Sequence, residues 1–119
     1  MIRALALSLC LSATALSAQE ATSSGSGAVL RGLDKLTGRA SDIELGTGQT
    51  AQFGRIEISL AECRYPVGNQ AGDAFAFLTV REAGHPDPAF RGWMVASSPA
   101  LNAMDHQRYD VWVLRCTSS

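Results

Sequence analysis

Six residues carry the atom types of a nucleophilic hydrolase: Ser97, Ser98, His85, His106, Asp105 and Asp110. A serine hydroxyl needs a histidine to take its proton and a carboxylate to orient that histidine. The spacing around them is weak. The chain has no G-x-S-x-G elbow and no S-x-x-K pair, the patterns that expose such a serine or set a lysine beside it. Ser98 precedes Pro99, which reads as a helix cap followed by proline at the first helical position. The same histidines suit a second chemistry. His85 lies two residues from Asp87, and His106 sits between Asp105 and Asp110; imidazole with carboxylate can hold zinc or another divalent ion. Both histidines fall in turn-like sequence without H-E-x-x-H, so solvated loop residues are the simpler reading and no metal site is assigned. Glu44 and Glu57 read as solvent-facing strand residues. Gly46-Thr47-Gly48 lacks the rest of any phosphate-binding fingerprint, and no cofactor is expected.

Binding is the remaining class. Trp93, Met94, Tyr109 and Trp112 crowd into RGWMVASSPALNAMDHQRYDVWVLRC, with Arg91, Arg108 and Arg115 close by. Aromatic, methionine and arginine side chains are favoured at interfaces, although at strand centres the same types fill cores. If the arginines cluster in space, they suit a carboxylate or phosphate. Arg91, Trp93, Met94, Arg108, Tyr109 and Trp112 form the candidate interaction surface.

The elements that must position these residues begin after an export signal. Met1-Ile2-Arg3 supplies a positive start, residues 4–16 are apolar or small, and Ser17 and Ala18 are small. This is the anatomy of a signal peptide, and the run is too short to remain as a membrane span. Leu9 precedes Cys10 where lipoprotein processing needs a small residue, so no lipid anchor is expected. The expected division is a signal peptide over 1–18, a flexible spacer over 19–27 and one domain over 28–119. No transmembrane segment is expected after cleavage. With ten basic and eleven acidic residues and no basic run, nucleic acid is not an expected partner. Cleavage leaves Cys63 and Cys116. An even pair in an oxidising compartment argues for a disulfide, and no C-x-x-C spacing argues for redox chemistry.

Turn residues cut the rest into short strands. Residues 28–36 read as a strand entering a turn at Thr37-Gly38, and 39–45 and 56–61 alternate cleanly. Gly54-Arg55 fits a two-residue hairpin loop. Cys63 has the opposite parity to Ile56, which requires a bulge or a strand end before it. Residues 64–73 read as a loop, while 74–81 and 90–96 are apolar on both faces. A helix of one or two turns follows Ser98, and 109–116 closes the fold. The fold class is therefore all-β: a compact antiparallel sandwich or partly open barrel of six or seven short strands, with one short helix near the C-terminus.

Three stretches, VLRGLDKLTGR, GQTAQFGRIEISLAEC and the tryptophan-bearing segment above, resemble the domain-of-unknown-function 2155 family, small exported proteins of alphaproteobacteria. The third stretch is the specific one. Gln107 stands where the family pattern carries proline after the histidine. The resemblance implies export and a paired Cys63 and Cys116, and brings no activity. The expected function is a periplasmic, non-enzymatic binding domain of the cell envelope, its partner an envelope protein, lipid or cell-wall component. The alternative is a small envelope hydrolase or metal-dependent enzyme using His85 or His106 with nearby Ser and Asp.

Overall fold

Period-two alternation becomes eight strands: β1 (Thr22–Ser24), β2 (Gly27–Asp34), β3 (Arg39–Gly46), β4 (Thr50–Phe53), β5 (Ile56–Pro66), β6 (Phe75–Glu82), β7 (Phe90–Val95) and β8 (Tyr109–Thr117). The structure, a computed structural model, describes residues 21–118. The expected signal peptide, residues 1–18, lies outside the described residues. Strands β1, β4, β5, β6 and β7 form one antiparallel sheet, and β3-β2-β8 form a second. The sheets remain open, which makes a sandwich rather than a barrel.

Inward positions of both sheets meet in one core. Ile56, Ile58, Leu60, Leu78 and Val80 come from the larger sheet; Leu30, Leu45, Tyr109, Val111 and Val113 come from the smaller. The sheets are also joined covalently. Cys63 on β5 bonds to Cys116 on β8, with Cα atoms 5.6 Å apart and a sequence separation of 53. Closing a loop of that length removes roughly 4 kcal/mol of unfolded-state entropy in the chain-entropy description. The parity mismatch before Cys63 is resolved as a bulge. The β5–β6 register shifts between Leu60 and Glu62, and Cys63 returns to the buried face.

Three expectations are corrected. Residues 22–24, expected within a flexible spacer, form β1 against Arg64–Pro66 of β5. Arg64 supplies the reason: its guanidinium donates to the Thr22 hydroxyl and carbonyl and to the Ser24 hydroxyl, so small polar residues gain a partnered place at a sheet edge. That pairing also extends β5 to Pro66, into the sequence expected as loop. Finally, the helix is a single 3-10 turn, Pro99–Asn102, and Ser98 makes no side-chain cap. Four residues are too few for α-helical bonds to propagate.

The connection from β7 to β8, residues 96–108, has a structural task. It leaves β7 beside Ala74 and enters β8 beside Asp34, at the opposite end of the sandwich. It therefore runs between the free edges of the two sheets. Asn102 donates to the Trp93 carbonyl on the β7 edge at 2.8 Å, and Met104 enters the core at 5% exposure. On β8, Asp110 accepts the N–H of Val111 at 2.9 Å. These contacts occupy edges that would otherwise invite another strand.

Candidate functional site

The six-residue interaction surface expected from sequence is not assembled. Met94 is 3% exposed and Tyr109 1% exposed; both are core. The reason is parity. Met94 pairs with buried Ala76 across the β6–β7 ladder, whereas Trp93 pairs with half-buried Phe77 on the outer face. Trp112 alternates with buried Val111 and Val113, so it lies on the outer face of the other sheet. The two tryptophans flank neither a common core nor a common groove. Arg91 and Trp93 remain together on one face, while Arg108 joins a separate cluster described below.

The outer face of the larger sheet reads rung by rung. One rung is Thr50, Ser59, Thr79 and Arg91; the next is Glu62, Phe77 and Trp93; the third is Ser24, Arg64, Phe75 and Val95. Trp93 is 41% exposed. Its ring meets Phe77 edge-on, with centroids 5.4 Å apart and planes at 76°, and the Arg91 guanidinium lies 5.9 Å from the Phe77 centroid. The Thr50 and Ser59 hydroxyls are hydrogen-bonded at 2.8 Å. An aromatic pair thus sits in a polar field, and the indole is held by packing from one side.

The histidines, serines and acids of the hydrolase reading are dispersed. The Ser97 hydroxyl and N–H both donate to Asp73, at 2.6 and 2.9 Å, and tie two loops. Partial burial pushes the Asp73 carboxyl up, but the bonds from Ser97 and Ala74 outweigh it and hold the group below the usual carboxylate range. His106 is bound elsewhere. Its Nδ1 accepts the N–H groups of Arg108 and Tyr109, both at 3.0 Å, and its Nε2 lies 3.0 Å from Glu82 Oε2. Because Nδ1 is a double acceptor, the neutral ring carries its proton on Nε2 and donates to Glu82. That bond holds Glu82 below the usual range for a glutamate.

The tautomer also bears on metal. A ligand nitrogen needs a free lone pair, and binding through Nε2 would move the proton to Nδ1, against two N–H donors. His85 lies near the same carboxylate, 3.9 Å from Glu82 Oε2, with a side chain 66% exposed. Among the described residues no group of three or more His, Cys, Asp or Glu is placed to hold a metal ion.

Around His106 a polar cluster knits one end of the sandwich. Asp34 at the end of β2 accepts from Arg108 through Nε at 3.2 Å and Nη2 at 2.9 Å, and from the Leu36 N–H at 3.0 Å. The Arg108 guanidinium holds the Asp34 carboxyl below the usual carboxylate range. It also lies 5.1 Å from the Tyr109 ring centroid. The Tyr109 hydroxyl accepts the Arg55 N–H at 3.1 Å, across the β4–β5 turn. Gly54 in that turn has φ +57°, and a Cβ there would land on the tyrosine hydroxyl. These partners are far apart in sequence, 74 residues for Asp34 and Arg108, so no local pattern announced this end.

Fold and site define a small, disulfide-braced β-sandwich with an exposed aromatic face and polar groups committed to internal pairs. The chain belongs to the DUF2155 family, described as "Uncharacterized protein conserved in bacteria", which matches residues 28–116. It is also similar to "Uncharacterized protein RP359" of Rickettsia prowazekii (strain Madrid E), 31% identical over 87 residues. That match covers 71% of this chain and 56% of the relative, so the chain spans little more than half of the relative's length. No solved structure matches the chain.

Proposed function

We propose that this chain is an exported, periplasmic, non-enzymatic interaction domain of the cell envelope, and that it binds its partner through the outer face around Trp93. The observation that carries this reading is the exposure of Trp93, 41%, on a sheet face where its ring packs edge-on against Phe77, with the Arg91 guanidinium over the Phe77 ring. Tryptophan and arginine are among the side chains most enriched where binding energy concentrates. Export is supported by the leader-like sequence before residue 19 and by the Cys63–Cys116 bond, which suits an oxidising compartment. No helix among the described residues is long and apolar enough to cross a membrane.

The test is a photoreactive amino acid placed at position 93 in the native host, with the same residue at Glu44 on the other sheet as control. A defined envelope adduct from position 93 and none from position 44 is expected. No adduct at 93, or equal adducts at both positions, contradicts the assignment of this face.

A further inference from the structure

The polar end of the sandwich carries a second surface with its own chemistry. Lys35, Leu36, Gln107 and Arg108 line a notch of about 320 Å³. Both cations on its walls are held in place. The Lys35 ammonium donates to the His106 carbonyl at 2.6 Å, and its backbone N–H donates to the Arg108 carbonyl at 2.7 Å. Asp34 engages the Arg108 guanidinium through Nε and Nη2, which leaves the Nη1 side for another acceptor. One of the three ammonium protons of Lys35 is spent, and the others remain. At the rim stands Leu36, 76% exposed at the tip of the β2–β3 turn. Arg39 flanks that turn, and no described ion pair includes it.

Charge at the tip opposes that of the molecule. Lys35, Arg39 and Arg108 against Asp34 give 3 − 1 = +2 at the tip. Adding the neighbouring turns and rungs, Arg55 and Arg81 against Glu57, Glu82, Asp87, Asp105 and Asp110, brings the sum to 2 + 2 − 5 = −1, so the positive charge is confined to the tip. The whole chain carries −1. A positive tip on a negative body orients toward a negative surface.

We propose that this end docks on an anionic phospholipid surface. A headgroup phosphate sits between Lys35 and Arg108, with the Gln107 amide at hand, and Leu36 enters the acyl boundary. Paired, pre-positioned cations are the recognition chemistry of phosphate. The leucine selects the source of that phosphate: a soluble phosphate has no use for an exposed apolar rim, whereas a bilayer buries it. A second copy of the chain is a poor occupant, because one exposed leucine falls far short of the ~800 Å² per partner of a stable interface. The proposal is independent of the Trp93 reading.

The test is flotation of the mature chain with phosphatidylcholine vesicles, with and without phosphatidylglycerol, at low and high salt. Binding only to the anionic vesicles, weakened by salt, is expected. Lys35→Gln and Arg39→Gln should each cut the partition about fivefold, and Leu36→Glu about tenfold or more. All three positions are exposed, so folding is retained and checked by circular dichroism. No partition at low salt, equal partition into both vesicles, or indifference to the three substitutions overturns the proposal. Soluble glycerol phosphate provides the second arm, followed by NMR at Lys35 and Arg108. Saturable shifts that Leu36→Glu leaves unchanged, without vesicle binding, overturn the lipid surface in favour of a soluble phosphate ligand.

Discussion

At the scale of the residue, His106 is an anchor. Its Nδ1 gathers two backbone N–H groups where the connection turns into β8, and its Nε2 reaches Glu82 on the other sheet. Nitrogen-detected NMR at neutral pH should show the Nε2–H tautomer; the Nδ1–H form would contradict this geometry. Removing the ring by His106→Ala leaves two N–H groups without their acceptor at a largely buried site. Such losses cost about 1–3 kcal/mol, to be read from urea unfolding. Gly54 is a second sensitive position. Its φ of +57° and the tyrosine hydroxyl above it exclude a methyl group. Gly54→Ala should cost more than the ~1 kcal/mol typical of glycine at positive φ, because it also displaces the Tyr109 hydroxyl from Arg55.

At the scale of the element, the 96–108 connection decides whether two free sheet edges stay closed. Met104 is its apolar peg. Met104→Ala should lower stability by about 2–5 kcal/mol through the cavity it leaves, and should raise hydrogen exchange at β7 and β8 before the other strands. Uniform protection loss across both sheets would mean that the connection is not a separate unit. The strands themselves were largely legible. Alternation is visible in IEISL at Ile56, Ile58 and Leu60, and of the two readings that the parity of Cys63 left open, a bulge or a strand end, the bulge is found, between Leu60 and Glu62. What sequence could not give was which side of a doubly apolar strand faces the core. Trp93 and Met94 are both apolar, and pairing with Ala76 buried the methionine and left the tryptophan outside. Nor could Thr22–Ser24 be read as β1, since its place depends on Arg64, 42 residues from Thr22.

At the scale of the molecule, acid should loosen the fold. Asp34, Asp42, Asp73 and Glu82 are all held below the usual carboxylate range. A carboxyl whose folded pKa is depressed contributes stability above its unfolded value, near pH 4, and loses it as pH falls through the folded value. Thermal melts should therefore be flat near neutrality and fall below about pH 4. Asp34→Asn should melt lower at neutral pH and show a shallower acid fall; an unchanged acid slope would remove Asp34 from the account. Asp42 pairs with Arg31 in the open and adds little. Long-range pairs such as Asp34 with Arg108 escape sequence reading because topology alone brings them together.

The brace between the sheets makes the export claim testable in one experiment. The protein is recovered from its native cells under alkylating conditions, and its intact mass is measured. The expected species has lost its leader, carries no alkyl group and lacks two hydrogens, as a Cys63–Cys116 disulfide requires. A full-length species with alkylated Cys63 and Cys116 would place the chain in a reducing compartment and contradict the reading of an exported, disulfide-held binding domain.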